Sequence, residues 1–353
     1  MSPAPDRRPA LAALALFVLL SSSAIAGWTV VPLAGYSSTT GFAYGAMVAG
    51  TGVLGLDAAS LQAYRTTRGR EVVELGVVEA ISGGVGTLEA EHYRTPTARF
   101  FGYGNGGSDD EYVEYSEECN RLRMRYFRTL FGPVDGGLGA EVRHSVVYDR
   151  EQGDLWETLP GQSFSSAWSA GPSGSLVLRD PAGTGFPGYV RLDGSYQWSE
   201  HEAYGRLTAR LAQLAPLAGP RTVLGAHVGV TSQSGIETSP FTWRPTLGGA
   251  DDLRAFRDWR FTGRWLVWSN LELRQHILTV SEDPEAYVQR LGLVLFGDAG
   301  QVSDEPGGLA WNRFHLCAGI GLRIHMAENV TVRADFSRGP EGNGIVLTFG
   351  EMF

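Results

Sequence analysis

Apolar side chains recur at every second position through long stretches of this chain, with charged or polar residues between them. In YVRLDGSYQW (189–198), Val190, Leu192, Tyr196 and Trp198 face one way; Arg191, Asp193, Ser195 and Gln197 face the other. RFHLCAGIGLRIH (313–325) sets Phe314, Leu316, Ala318, Ile320, Leu322 and Ile324 against Arg313, His315, Arg323 and His325. NVTVRADFS (329–337) sets Val330, Val332, Ala334 and Phe336 against Thr331, Arg333 and Asp335. Only an extended strand places alternate residues on opposite faces. Strands of soluble sandwiches run ~5–6 residues, whereas crossing a bilayer at a tilt takes ~9–11. The runs here are of the longer kind and often carry charge at every second position. That pattern predicts an all-β membrane barrel, apolar outside and polar inside.

Sixteen candidate strands follow: 28–37, 41–50, 57–66, 71–80, 85–94, 118–131, 136–149, 171–180, 189–200, 204–215, 220–232, 263–277, 288–300, 313–325, 328–337 and 343–353. The even count suits a single-chain bacterial barrel. Pro32 interrupts the first strand and leaves open a lead-in segment at 28–37 instead. The long connections 95–117, 150–170, 233–262 and 301–312 fall at one end of the strands. The short ones at 81–84, 132–135, 216–219 and 326–327 fall at the other, as extracellular loops and periplasmic turns do. The chain ends on GIVLTFGEMF (344–353), itself an alternating strand.

Ahead of the barrel, Arg7 and Arg8 precede the apolar run LAALALFVLL (11–20), and Ala24-x-Ala26 offers a small-residue cleavage site. Residues 1–26 therefore read as a signal peptide, its apolar run too short to span ~30 Å of hydrocarbon, and 27–353 as the barrel. The net charge of −9 argues against a nucleic-acid partner. Cys119 and Cys317, far apart in the sequence, read as two unpaired thiols rather than a metal pair.

No motif points to catalysis, a metal or a cofactor. HExxH is absent and the seven histidines are scattered. GYGNGG (102–107) fits a nucleotide-loop pattern but lacks the strand-to-helix context, so it reads as a glycine-rich loop. The acidic stretch SDDEYVEYSEE (108–118) reads as a solvated loop. NRLRMRYFR (120–128) places Arg121, Arg123 and Arg125 on one face, expected to pair with lumenal acids such as Glu141.

Residues 247–274, LGGADDLRAFRDWRFTGRWLVWSNLELR, followed by LGLVLFGDAGQV (291–302) and the final strands, resemble the barrel of the bacterial surface antigen family. This is the outer-membrane assembly superfamily that includes BamA and TamA. RFFGYGN (99–105) also resembles a segment of its short members. The resemblance implies that the sixth extracellular loop folds into the lumen as a latch. Its tip would be Leu253, Arg254, Ala255 and Phe256, with Ala255 standing where the family has glycine. It further implies that Arg254 meets Glu272 and Asp298, both on the inward face by alternation. An Arg in a confined lumen needs such a partner, because an unpaired desolvated charge is costly. Leu347, Phe349 and Phe353 resemble the C-terminal signal recognised by the barrel assembly machinery; an interfacial aromatic girdle would use the same residues. Strand-like sequence begins almost at once after residue 26, leaving no room for POTRA or patatin domains. The expected roles are assisting insertion or translocation of client proteins or lipids, or acting as a passive pore or structural barrel, among outer-membrane lipids and without enzymatic activity.

Overall fold

The structure, a computed structural model, describes residues 23–25, 28–151, 164–180, 183, 187–200, 203–217, 219, 221–235, 239–282, 288–326, 331–349 and 352. The barrel strands are β1 (Trp28–Ser37), β2 (Gly41–Val53), β3 (Leu56–Thr66), β4 (Glu71–Ile81), β5 (Gly84–Phe100), β6 (Val113–Phe131), β7 (Val134–Tyr148) and β8 (Ser166–Arg179). They continue as β9 (Gly188–Ser199), β10 (Tyr204–Pro216), β11 (Thr222–Gln233), β12 (Trp265–Thr279), β13 (Val288–Ser303), β14 (His315–Met326), β15 (Thr331–Gly339) and β16 (Gly342–Phe349). Each pairs antiparallel with its sequence neighbours, and β16 returns to β1, closing a 16-strand barrel. Among the described residues the helical segments are three short 3-10 turns, and no helix is long and apolar enough to cross a membrane.

Alternation sets the two faces. Leu122, Met124, Leu192, Leu211, Leu271, Leu293, Leu295, Ile320 and Phe336 stand exposed around the outside, a belt far too apolar for water and suited to lipid. Tyr196 and Trp198 pack edge to face on the same surface, 5.3 Å between centroids. Between them, Arg323, Arg333, Asp335 and Ser337 point into the lumen and are buried there. Two-residue hairpins at Leu54-Gly55 and Ser82-Gly83 close one end, both residues of each at positive φ (55° and 78°, 45° and 77°). Such turns match the twist of the strands they join. The connections that follow Phe100, Tyr148, Gln233 and Ser303 all leave from the opposite end.

All sixteen strands expected from the alternation are present, but several extend further toward the loop end. β5 runs to Phe100 and β6 begins at Val113, beyond the expected 94 and 118. There the apolar residues turn inward: Phe100, Val113, Tyr115 and Val147 pack on Phe241 of the 234–264 loop. The ladder continues after the outward apolar pattern has stopped, so alternation alone marks the lipid-facing part and misses the rest. β8 likewise begins at Ser166, ahead of the expected 171; β14 starts at His315, after a 3-10 turn over Trp311–Arg313, and β15 runs to Gly339.

Pro32 does not demote the first strand. β1 pairs with β2 along its whole length, Pro32 opposite Ala46. On its other edge the pairing is short. Among the described residues, β16 meets β1 only at Val346 opposite Ser37 and Leu347 opposite Tyr36, with one further bond from Ser38 N–H to the Ile345 carbonyl oxygen (3.2 Å). Pro32 lies outside that pairing, where its missing N–H costs no ladder bond. Ser23–Ile25 pair with Trp28, Thr29 and Val30; the rest of the expected signal peptide lies outside the described residues, as does Phe353.

Candidate functional site

Residues 239–264 of the loop between β11 and β12 turn back into the lumen. Its base is a short ladder, Thr246 opposite Thr262 and Leu247 opposite Phe261. Asp252 shapes the tip: its Oδ1 accepts the backbone N–H groups of Gly248 (2.7 Å) and Leu253 (2.6 Å). The Leu253 carbonyl oxygen then accepts the Phe256 N–H (2.9 Å), closing a turn that presents Arg254. Ala255 is not among the residues at positive φ, so the glycine of the family pattern is not needed here. Leu253, Ala255 and Phe256 are buried in an apolar cluster with Leu247, Phe261, Leu266, Trp268, Val302 and Cys317. The run LVW (266–268) is thus apolar on both faces, one for lipid and one for the loop.

Arg254 is the centre of the site. Its Nε and Nη2 bind Asp298 Oδ2 (2.9 Å) and Oδ1 (2.7 Å) as a fork, and its backbone N–H adds a bond to Oδ2 (3.2 Å). Nη1 reaches Glu272 Oε1 (2.7 Å) and Asp335 Oδ2 (3.1 Å). All four side chains are 0% exposed, and the guanidinium carbon lies 3.3 Å over the Phe296 ring. Burial opposes the charge on Arg254, but the bonds and charge of Asp298, then Glu272 and Asp335, outweigh it and raise its pKa above the usual guanidinium value.

Three carboxylates around one cation would leave an excess of negative charge. Three more arginines answer it: Arg274 on Glu272 Oε2 (2.8 Å), Arg323 on Asp335 Oδ1 (2.6 Å), and Arg333 near Asp335 Oδ2 (3.5 Å). Arg333 also donates to the Ala250 carbonyl oxygen of the loop (3.1 Å). Asn270 fills a further position, donating to Asp298 Oδ1 (3.0 Å) and the Asp252 carbonyl oxygen (2.7 Å). A desolvated ion cluster is tolerable only when its centre is well bonded. Every guanidinium nitrogen of Arg254 has a carboxylate partner, whereas Arg333 Nε and Asn270 Oδ1 at the margin are buried without a hydrogen-bond partner.

The sequence pairs Arg254 with Glu272 and Asp298, and the structure brings those three together. Asp335 completes the set. Its inward position is readable from the alternation of 329–337, but nothing in the sequence shows that β15 lies under the loop tip.

The same loop touches both sides of the short seam. Arg260, 1% exposed, binds Glu341 in the β15–β16 turn (Nε–Oε1 2.9 Å, Nη2–Oε1 2.8 Å) and donates to the Gly107 carbonyl oxygen (2.8 Å). On the far side, Asp258 N–H donates to Thr39 Oγ1 in the β1–β2 turn (3.1 Å). Gly344 of β16 lies so close under the tip that a Cβ there would collide with the Arg254 carbonyl oxygen and come within 3.0 Å of Ala255 Cα. Leu347 and Phe349 pack with Met326, Val332, Ala34 and Ile324 across the seam end of the wall.

The row on β6 pairs within the lumen: Arg123 with Glu141 (2.8 Å) and Glu89 (3.1 Å), Arg121 with Glu91, and Arg125 with Glu89. Cys119 and Cys317 are both free and buried. Among the described residues no group of three or more His, Cys, Asp or Glu is gathered as metal ligands.

Against solved structures, the chain aligns over 98% of its length with BamA from Haemophilus ducreyi lacking POTRA domains 1–3, at 15% identity and a TM-score of 0.62, covering 78% of that chain. It aligns over 93% with CdiB from Acinetobacter baumannii (14% identity, TM-score 0.59) and with CdiB from Escherichia coli (13%, 0.61). It spans 60% and 64% of those two chains. No protein-family model matches the chain, and no curated protein matches it in sequence. The fold is therefore that of the outer-membrane barrels BamA and CdiB, and the resemblance read from the sequence holds for the fold across nearly the whole chain.

Proposed function

We propose that this barrel resides in the bacterial outer membrane and assists insertion or translocation of proteins or lipids there, by a non-enzymatic route through the β1–β16 seam. The observation that carries the reading is the contrast between that seam and its neighbours. Among the described residues, β16 pairs with β15 from Val332–Phe349 to Gly339–Gly342 but with β1 at two residues only. Unpaired strand edges in lipid have no water to satisfy them, so they seek another strand. A client strand entering the seam would supply those bonds. The latch loop governs the opening: Arg254 fixes it in the lumen, while Arg260 and Asp258 hold the two lips together. Its proposed partners are outer-membrane lipids, client proteins or lipids and, during biogenesis, the barrel assembly machinery reading the C-terminal strand.

The second reading, a passive pore, has the polar lumen of β5–β7 in its favour. Against it stand the β5–β6 and β11–β12 loops, which meet across the mouth at Gly104 and Thr262 and pack a core into the loop end of the lumen.

Cysteines replacing Ser37 and Val346, which face each other across the seam, test the first reading. The reduced barrel in liposomes is expected to accelerate folding of an unrelated small barrel, and the oxidised, tethered form to lose that acceleration. Equal rates in both states, with the barrel folded, would reject passage through the seam.

A further inference from the structure

Beside the latch, at the loop end of the lumen, lies a cavity of about 400 Å³ between the latch loop and the outer ends of β3–β6. Four arginines line it (Arg68, Arg70, Arg99 and Arg257) against two acids, Glu114 and Asp258. Two of the four are committed elsewhere. Arg99 is bound to Glu114 (3.0 Å) and stacks 4.1 Å over Tyr112, and Arg68 donates to the Thr39 carbonyl oxygen.

Arg70 and Arg257 are different. Neither makes a side-chain ion pair among the described residues. Arg70 Nε is buried with no hydrogen-bond partner, and its guanidinium rests on aromatic faces, 5.1 Å from Trp259 and 5.7 Å from Tyr93. Thr95, 6% exposed, also lines the cavity, and its Oγ1 is buried without a partner. Trp259, which forms the wall beside Arg70, holds a left-handed φ of 58°. A bulky residue keeps that conformation only where its surroundings enforce it, and such strain gathers at ligand clamps. Below, Arg143 lies 3.9 Å from buried Glu117. In the upper cavity Glu114 is taken by Arg99, and Asp258 is the one remaining acid of the lining to set against Arg70 and Arg257.

Two unpaired guanidinium groups and an idle hydroxyl converge on a space many times the ~30 Å³ share of one water. All three are donors, the set that recognises an oxyanion. We propose that this cavity binds a phosphate-type oxyanion, held by Arg70 and Arg257 with Thr95 as the hydroxyl donor. The anion comes either from free phosphate or from the phosphorylated headgroup of an outer-leaflet glycolipid. Because Arg257 and Asp258 lie on the latch loop and Thr39 on the β1–β2 turn, an anion here fastens the loop on the β1 side of the seam. The site stands independently of the insertion role.

The test uses the full chain, purified in detergent and titrated calorimetrically with inorganic phosphate at fixed ionic strength. A second arm places the barrel in liposomes with a phosphorylated glycolipid or its dephosphorylated counterpart, and follows the midpoint of the heat-induced gel shift. Saturable phosphate binding, weakened about tenfold or more by Arg70→Gln with Arg257→Gln, identifies a small-anion site. A midpoint raised only by the phosphorylated glycolipid, and only without those substitutions, identifies a headgroup site. No response in either arm, or the same response in the double variant, overturns the proposal. If the double variant does not fold, Thr95→Val decides: it leaves every charge in place and is expected to weaken binding severalfold, while unchanged binding rejects the site.

Discussion

Two arginine–carboxylate networks share one lumen and differ in almost everything but chemistry. On β5–β7, Arg121, Arg123 and Arg125 alternate with Glu89, Glu91 and Glu141 in a wet row, Arg123 and Glu89 being 25% and 35% exposed. Under the loop, Arg254, Glu272, Asp298 and Asp335 are sealed from water by Phe296 and the apolar cluster around Leu253. The row decorates a wall that its backbone ladder already holds. The sealed cluster ties a loop to a wall with which it shares no continuous ladder. Burial, not the number of ion pairs, separates a surface feature from a latch.

Arg254→Ala should break the comparison most sharply. It leaves three dry carboxylates without their central cation, at a cost of ~3–5 kcal/mol. Most of that should appear as release of the loop rather than unfolding of the barrel. The expected readout is rapid tryptic cleavage after Arg257 and Arg260 in a barrel that still shows the gel shift of the folded form. Protection equal to the unmodified chain would mean that the apolar cluster alone seats the loop.

Gly344→Ala approaches the same latch from the wall, without touching a charge. The new Cβ has nowhere to go but against the Arg254 carbonyl oxygen. Overpacking of this kind costs ~1–3 kcal/mol. Partial loss of tryptic protection is expected, smaller than for Arg254→Ala. Full protection would show that β16 yields instead, which a lower thermal midpoint of the barrel would reveal.

The wet row supplies the contrast. Arg123→Ala breaks bonds to Glu141 and Glu89. Partly solvated pairs contribute ~0–1 kcal/mol, so urea unfolding in micelles should shift within that range and loop protection should not change. A loss as large as that of Arg254→Ala would erase the distinction between the two networks.

How much of this was legible in the sequence follows from what each feature depends on. The sixteen strands are a local property: alternation of apolar and polar residues marks each one wherever its outer face meets lipid. Arg254, Glu272 and Asp298 were legible because a motif resemblance and the inward phase of β12 and β13 agreed. Asp335, Arg323 and Arg260 were not. Their phase or charge is visible, but their partners lie 81 residues away for Arg254–Asp335 and Arg260–Glu341. Only barrel closure brings them together. The outer ends of β5 and β6 were missed for another reason: at Phe100, Val113 and Tyr115 the apolar side turns inward, reversing the cue on which the reading relied.

The last effect concerns protons. Burial pushes the Asp252 carboxyl up to about 7 from 3.8, despite the N–H donors of Gly248 and Leu253 that lower it; Asp251 and Asp258 add to the rise. Burial likewise raises Asp258 to about 6, against the lowering effect of Arg70. A carboxyl whose pKa is raised on docking binds its proton more tightly in the docked loop. These two groups therefore favour docking fully below the ordinary carboxylate range, and that contribution fades as pH rises through about 6 and then about 7. Tryptic protection of the loop should decline modestly between about pH 5 and about pH 8.5, after correction for the protease's own pH dependence. Asp252→Asn keeps an oxygen for both N–H donors but cannot ionise, so it should flatten the upper part of that decline. Asp258 should still shape the lower part. A decline unchanged in Asp252→Asn would place the proton elsewhere and leave Asp252 only its role in holding the turn that presents Arg254.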